Sequence, residues 1–132
     1  MKTTPHKLPF AVLLIACLCA AVACQWLSRS PSSTVVKFYE AVAKGKHKEA
    51  KQFLDPAALE QMPAIVLDQA LAAASSEILD HGGLESIQVE KETVQGDNAQ
   101  VQFVIRYKDG SSKKDKENLI RKNRKWFILV GK

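Results

Sequence analysis

The chain has 132 residues, of which 46% are hydrophobic and 25% are charged, and its formal net charge is +5. This length allows one domain, and the composition is that of a folded protein, which excludes a mostly disordered chain. The basic balance would suit nucleic-acid binding, but the aromatic residues interleaved with cations that stack on bases are absent. We therefore expect no nucleic-acid partner.

The N-terminus carries the strongest targeting signal in the sequence. Leu8–Cys24 contains no charge and no side-chain amide, basic residues precede it, and small residues lead to Cys24. These are the parts of an export signal, and a cysteine at the end of such a signal resembles the lipid-attachment site of bacterial lipoproteins. We predict a lipoprotein signal peptide over residues 1–23, palmitate on Cys24, and a Ser/Pro-rich tether over residues 24–33.

Other interpretations of the same segment remain open. Cys17 is the fallback lipidation site, because Leu14-Ile15-Ala16-Cys17 fits the lipoprotein pattern better at its first position. Cleavage there, however, would leave an apolar tail exposed to water. Ala21-Val22-Ala23 also suits ordinary secretion, and Leu8–Leu27 is long enough to span a bilayer core of about 30 Å as an uncleaved transmembrane anchor. Each alternative places the domain outside the cytoplasm, and Gln25 after the cysteine favours the outer membrane.

The next part of the chain has a helical period. Apolar residues at Val35, Phe38 and Val42 share one helix face, and Gly45 stands where a glycine commonly ends a helix. We predict this first helix from Thr34, and further helices over residues 46–54, 56–62 and 63–80.

After Gly83 the apolar period changes to two residues, which is typical of strands. The predicted strands begin at Ile87 and then cover Val101–Tyr107, Lys113–Arg121 and Trp126–Val130, with turn residues between them. Consecutive strands joined by tight turns pair as an antiparallel meander. The sequence thus predicts an α+β domain over residues 34–132, with N-terminal helices packed on a four-stranded sheet.

Five short motifs follow one another between residues 31 and 131. They are Val36-x-Phe38-Tyr39-x-Ala41, Gly45-x4-Ala50-x2-Phe53-Leu54, Asp97-x-Ala99-x-Val101, Asp109-Gly110 and Lys125-Trp126-x-Ile128. Their order resembles the bacterial lipoprotein domain of unknown function 4878, within the cystatin-like superfamily named after nuclear transport factor 2. The resemblance implies a curved sheet around a helix, with a cavity at one end of a cone. The turn at Asn123-Arg124 departs from the family by lacking a glycine.

A cavity of that kind would be lined mainly by apolar side chains. The predicted lining is Tyr39, Val101, Phe103, Ile105, Tyr107, Trp126 and Ile128. On the clearest strands the inward set, which also includes Val130, contains no carboxylate or imidazole to transfer a proton. Such a cavity favours an apolar ligand or a closed core.

The third and fourth strands contain many cations. Lys113, Lys114, Lys116, Arg121, Lys122, Arg124 and Lys125 form a basic stretch that Asp115 and Glu117 interrupt. Its simplest role is a solvated strand that resists edge pairing. Its functional role would be contact with phospholipid headgroups or an acidic partner.

The sequence contains no Gly-rich phosphate loop, metal-ligand cluster or nucleophile elbow, so we expect no cofactor and no metal. His47 lies between lysines and is expected to be solvated. We predict a non-enzymatic, lipid-anchored envelope protein that binds an apolar ligand or an envelope partner. The alternative is a small hydrolase or isomerase with Tyr39, Asp80, His81 or Tyr107 at the mouth of the cone.

Overall fold

The computed structural model describes residues 30–131, and the predicted signal peptide and most of the tether lie outside this range. The helices are α1 (Pro31–Ala43), α2 (His47–Lys51), α3 (Pro56–Gln61) and α4 (Ala64–Asp80). The strands are β1 (Leu84–Gln95), β2 (Asn98–Tyr107), β3 (Ser112–Lys122) and β4 (Lys125–Ile128). Within residues 30–131, no helix combines the length and the apolar character that crossing a membrane requires.

Helix α1 begins three residues earlier than the predicted Thr34, so the last three residues of the predicted tether are helical. The cause is local, because the Ser30 side chain accepts a hydrogen bond from the Ser33 backbone N–H (3.1 Å) and Pro31 occupies the first turn. The helix ends at Ala43 with Lys44 as its C-cap, and Gly45 follows as the predicted terminating glycine, with φ of +68°. The Lys46 N–H then reaches the Ala41 carbonyl (2.9 Å), which closes a Schellman-type cap.

Helix α2 is shorter than predicted, because the residues after it run beside β4. The Ile128 N–H donates to the Phe53 carbonyl (2.8 Å), and the Asp55 N–H donates to the Ile128 carbonyl (2.9 Å). Leu54 thereby forms a parallel bridge to the sheet edge. Asp55 then caps α3, and Pro56 fills its first position, as the sequence indicates.

The sheet has the predicted order β1-β2-β3-β4, and every neighbouring pair is antiparallel. Strand β1 starts at Leu84, before the predicted Ile87, and two register shifts interrupt its pairing with β2. Such irregularities bend a strand. The turn between β3 and β4 consists of Asn123 and Arg124, both with positive φ (50° and 63°), which is the conformation of a two-residue hairpin.

One core lies between α1 and the sheet. Helix α1 contacts β1, β2 and β4, whereas α4 packs on α1 and α2. Phe103, Leu119, Val35, Val42 and Val101 are the largest fully buried side chains. The opposite face of the sheet carries mostly polar side chains, so the helices cover one face only, as predicted for this fold class.

Candidate functional site: a groove at the edge of strand β4

A groove of about 290 Å³ lies between the first half of α1, the segment after α2, and β4. It is lined by Ser33, Thr34, Lys37, Gln52, Phe53, Lys125, Trp126 and Phe127. Three aromatic residues and two lysines therefore line one depression. Ser33 and Thr34 belong to the first turns of α1, so the groove lies near the start of the described chain.

The polypeptide backbone also contributes to the groove. The backbone N–H and C=O of Ile128 both point outward from the sheet, towards Phe53 and Asp55. Backbone groups alternate in direction along a strand, so those of Trp126 point outward at the same edge. The segment that covers Ile128 does not extend to Trp126. The edge of β4 at Trp126 is therefore open to a ligand in the groove.

The charge of the groove is positive. Lys37 and Lys125 form no ion pair with any residue in the range 30–131, and both are exposed. Beside the groove, the Arg121 guanidinium lies 5.3 Å from the centroid of the Trp126 ring. Its charge is balanced by Asp97, 3.0 Å away. Two lysines without an acidic partner in this range thus line the groove together with three aromatic residues.

A second polar feature lies on the helix-covered face of the sheet. The Tyr39 hydroxyl donates a 2.9 Å hydrogen bond to the Glu117 carboxylate, and the Tyr39 ring packs against Phe38 and Phe103. Burial, reinforced by the Glu117 charge, raises the pKa of Tyr39 above its ordinary value. Burial also raises the pKa of Glu117, while the hydrogen bond from Tyr39 opposes this rise.

Glu117 corrects the prediction that the inward face offers no carboxylate. It pairs directly with Val101, and directly paired residues point to the same face. The prediction considered only the clearest strands, where every inward residue is apolar or aromatic. The missed signal was present in β3, because counting back in twos from the buried Leu119 reaches Glu117, Asp115 and Lys113.

A third cluster joins the end of α4 to the turn between β2 and β3. His81 Nδ1 lies 2.8 Å from Asp109 Oδ2 and 3.1 Å from Ser111 Oγ, and the imidazole stacks on Tyr107 at 4.5 Å. Hydrogen bonds from the Ser111 hydroxyl and backbone, and then from His81, lower the pKa of Asp109 to about 2. Asp80, the other half of the predicted pair, is exposed and takes no part in this cluster.

These residue types suggest a catalytic triad, but their connections differ from one. A general base must accept the serine proton through an unprotonated imidazole nitrogen. Here the Ser111 hydroxyl donates to Asp109 instead, and the serine oxygen lies at Nδ1, the nitrogen that the carboxylate already occupies. The cluster instead ties the hairpin to the helix, together with the hydrogen bond from the Asp109 N–H to the His81 carbonyl (3.0 Å).

The structure places the predicted cavity lining in the core. Six of its seven residues are at most 9% exposed, and Tyr39 is partly buried against them. Of the seven, Trp126 alone lines the groove. The predicted inward alternation is confirmed for β2 and β4, with Val130 partly buried beside the same core.

The predicted basic stretch is divided by the pleat of the sheet. Lys113 and Arg121 point to the helix-covered face, whereas Lys114, Lys116 and Lys122 point to the other. Four of the seven cations pair with acids within the described range: Lys113 with Glu77, Lys114 with Glu90, Arg121 with Asp97, and Lys122 with Asp55. The remaining three are Lys116, Arg124 and Lys125.

The remaining predicted residues are Cys24, Cys17 and His47. Cys24 and its fallback Cys17 lie outside the described residues. The expectation that His47 is solvated is wrong, because His47 is partly buried and its Nε2 lies 3.0 Å from the Ser75 hydroxyl. That hydroxyl also donates to the Val42 carbonyl (2.7 Å), so α4 approaches α1 at this point.

The helices on one face of a four-stranded antiparallel meander define an α+β domain. The chain belongs to the family described as Domain of unknown function (DUF4878), whose model matches residues 22–129. Among curated proteins, none matches the chain.

Two solved structures share this fold. A candidate NTF2-like transpeptidase from Campylobacter jejuni is 20% identical with a TM-score of 0.68, and the match covers 77% of this chain and 99% of that one. A SEC-C motif-containing protein from Rhodopseudomonas palustris is 14% identical with a TM-score of 0.58, over 80% of this chain and 79% of that one. At these identities the likeness shows the fold alone.

Proposed function

We propose that this protein is a non-enzymatic binding or accessory module of the bacterial envelope, anchored by a lipid on Cys24. The family match begins at residue 22 and so includes Cys24. Only five residues separate Cys24 from Ser30, where the described domain begins. An extended chain advances about 3.5 Å per residue, so the anchor would hold the domain within about 20 Å of the membrane.

The observation that carries the non-enzymatic part is the filled interior of the domain. Catalytic pockets need an acid, base or nucleophile that reaches a bound substrate. The residues predicted to line a cavity instead pack against one another, and Glu117 is engaged by Tyr39. The groove outside the core combines apolar floor and cations, which suits binding rather than proton transfer.

Lipid anchoring is tested by labelling cells with palmitate and comparing wild type with Cys24→Ala. We expect the label to be lost in Cys24→Ala and retained in the matched variant Cys17→Ala. Label that persists in Cys24→Ala but disappears in Cys17→Ala would move the anchor to the earlier cysteine. An unlabelled wild-type protein would contradict the anchoring proposal.

Ligand binding is tested by thermal unfolding of the purified protein with envelope lipid extract or peptidoglycan fragments. A ligand at about 100 times its Kd adds about 2.7 kcal/mol, which raises the Tm of a domain of this size by on the order of 10 °C. No shift with any extract would contradict a ligand-binding role and leave contact with an envelope protein as the function.

A second candidate, a small hydrolase or isomerase, is favoured by one observation. Asp109 holds Nδ1 of His81, and this leaves Nε2 as the nitrogen available to act as a base beside Tyr107. One structural neighbour is named a candidate transpeptidase. Turnover of ester, amide or peptidoglycan-peptide substrates that disappears in His81→Gln, but not in Asp80→Asn, would establish this function in place of the first.

A further inference from the structure

We propose that the groove beside Trp126 binds the phosphate headgroup of an anionic phospholipid in the membrane to which the protein is anchored. The inference rests on the proposed envelope location and names the ligand class of the groove. It draws on the donors that line the groove, its size and its distance from the anchor.

The groove offers the groups that a phosphate diester requires. Lys37 lines the groove from α1 and Lys125 lines it from β4. Gln52 and the outward backbone N–H of Trp126 add uncharged donors to the same lining. Phosphate recognition commonly combines lysine charge with backbone N–H groups.

The size and apolar surface of the groove select a headgroup rather than a whole lipid. Pockets for drug-sized ligands measure about 300–1,000 Å³, and this groove, at about 290 Å³, lies at the lower limit. Phe53 and Phe127 also line the groove and supply apolar surface for the glycerol backbone of the lipid. The acyl chains would remain in the membrane.

The position of the groove in the chain supports a membrane ligand independently of the donors that line it. The groove includes Ser33 and Thr34, three and four residues after the first described residue, Ser30. A lipidated Cys24 would therefore hold the groove within the reach of surface headgroups. By comparison, the depression of about 480 Å³ near Gly83 is lined by both acids and lysines, among them Glu40, Glu85, Lys44 and Lys108, so it has no excess of positive charge.

The experiment uses the full-length protein reconstituted in phosphatidylcholine vesicles that contain increasing fractions of phosphatidylglycerol. Trp26→Phe makes Trp126 the sole tryptophan, so its emission reports on the groove. We expect a saturable change in Trp126 emission with phosphatidylglycerol and none in pure phosphatidylcholine. Each cation near a membrane surface contributes roughly a fivefold change in affinity, so Lys37→Gln with Lys125→Gln should lower the apparent affinity for phosphatidylglycerol about 25-fold.

The matched control is Lys48→Gln with Lys91→Gln, which removes two exposed lysines away from the groove. It should leave the half-saturating fraction within about twofold. An equal loss in both double variants would mean that general charge attraction replaces a specific site, and would overturn the proposal. No response of wild type to phosphatidylglycerol would also overturn it.

Two further measurements separate the possible failures. Flotation of the protein with pure phosphatidylcholine vesicles reports on the anchor alone. If the protein floats but its Trp126 emission does not respond to phosphatidylglycerol, only the headgroup site is refuted. Glycerol 3-phosphate added to phosphatidylcholine vesicles tests a free phosphate ester. If it saturates Trp126 at the same concentration as the lipid, the site recognises soluble phosphate and the lipid assignment is wrong.

Discussion

The hydrogen bond between Tyr39 and Glu117 should stabilise the domain through its charge, and Tyr39→Phe isolates that contribution. Phenylalanine keeps the ring against Phe38 and Phe103, so the substitution removes the hydroxyl without opening a cavity. Hydrogen bonds to charged groups contribute about 1.5–3 kcal/mol, whereas those between neutral groups contribute about 0.5–1.5 kcal/mol. At pH 7 we expect Tyr39→Phe to lower the free energy of unfolding by about 2 kcal/mol.

The charge is tested by repeating the substitution in a Glu117→Gln background. The amide oxygen still accepts from Tyr39, but without charge, so the loss should fall to about 1 kcal/mol. Urea unfolding of the four proteins, followed by circular dichroism, gives the coupling energy. Tyr107→Phe is the matched control, because no hydrogen bond joins the Tyr107 hydroxyl to another described residue, and it should cost less than about 0.5 kcal/mol.

The pH dependence of the same site has a definite sign. Burial raises the pKa of Glu117 above 4.5, so the folded state binds this proton more readily than the unfolded state. Stability from this residue is therefore greatest at low pH and falls as the pH rises through 4.5 towards the folded-state pKa. Glu117→Gln should remove that decline. Equal costs of Tyr39→Phe in both backgrounds, to within about 0.3 kcal/mol, would refute the charged hydrogen bond.

Three further changes test the core, the His81 cluster and the last hairpin. Phe103 has no exposed surface, so Phe103→Ala should lower the free energy of unfolding by about 3–5 kcal/mol. Urea titration measures this loss. A loss below about 1 kcal/mol would contradict the burial of Phe103. The pKa of Asp109 is lowered to about 2, so the stability that its carboxylate contributes is present above pH 3.8 and is lost as the pH falls towards 2. Asp109→Asn should therefore make the urea unfolding midpoint less dependent on pH over that range. An unchanged pH dependence would contradict the cluster. Arg124→Gly relieves a positive φ of 63° and should raise the Tm by a few degrees, whereas Lys125→Gly should lower it.

The sequence predicted those parts of the fold that depend on local patterns. Ser30 and Pro31 start a helix, Gly45 ends it, and alternating residues from Val101 to Tyr107 mark a buried strand face. Each is a property of adjacent residues, since caps form within one turn and side chains alternate along any strand. The boundaries moved by only a few residues, except where α2 gives way to the segment that pairs with Ile128.

The inward position of Glu117 on β3 also follows from side-chain alternation, although it was not predicted. The many charges of this strand suggested a fully solvated surface, whereas its alternation from Leu119 places Glu117 beside Tyr39. The two lie 78 positions apart in sequence, and only the packing of α1 on the sheet brings them together. The alternation of side chains identifies which residues share a face of a strand, whereas tertiary packing determines which residues that face contacts.

The groove and the His81 cluster depend wholly on tertiary structure. Lys37 and Lys125 lie 88 positions apart, and His81 meets Asp109 because the end of α4 returns to the β2–β3 turn. The sequence by itself determined the succession of helices and strands, the meander and the apolar inward faces, because these follow from short-range sterics and hydrophobic period. Which charges share a surface was decided only by tertiary packing, in which α1 and the Phe53–Asp55 segment meet β4.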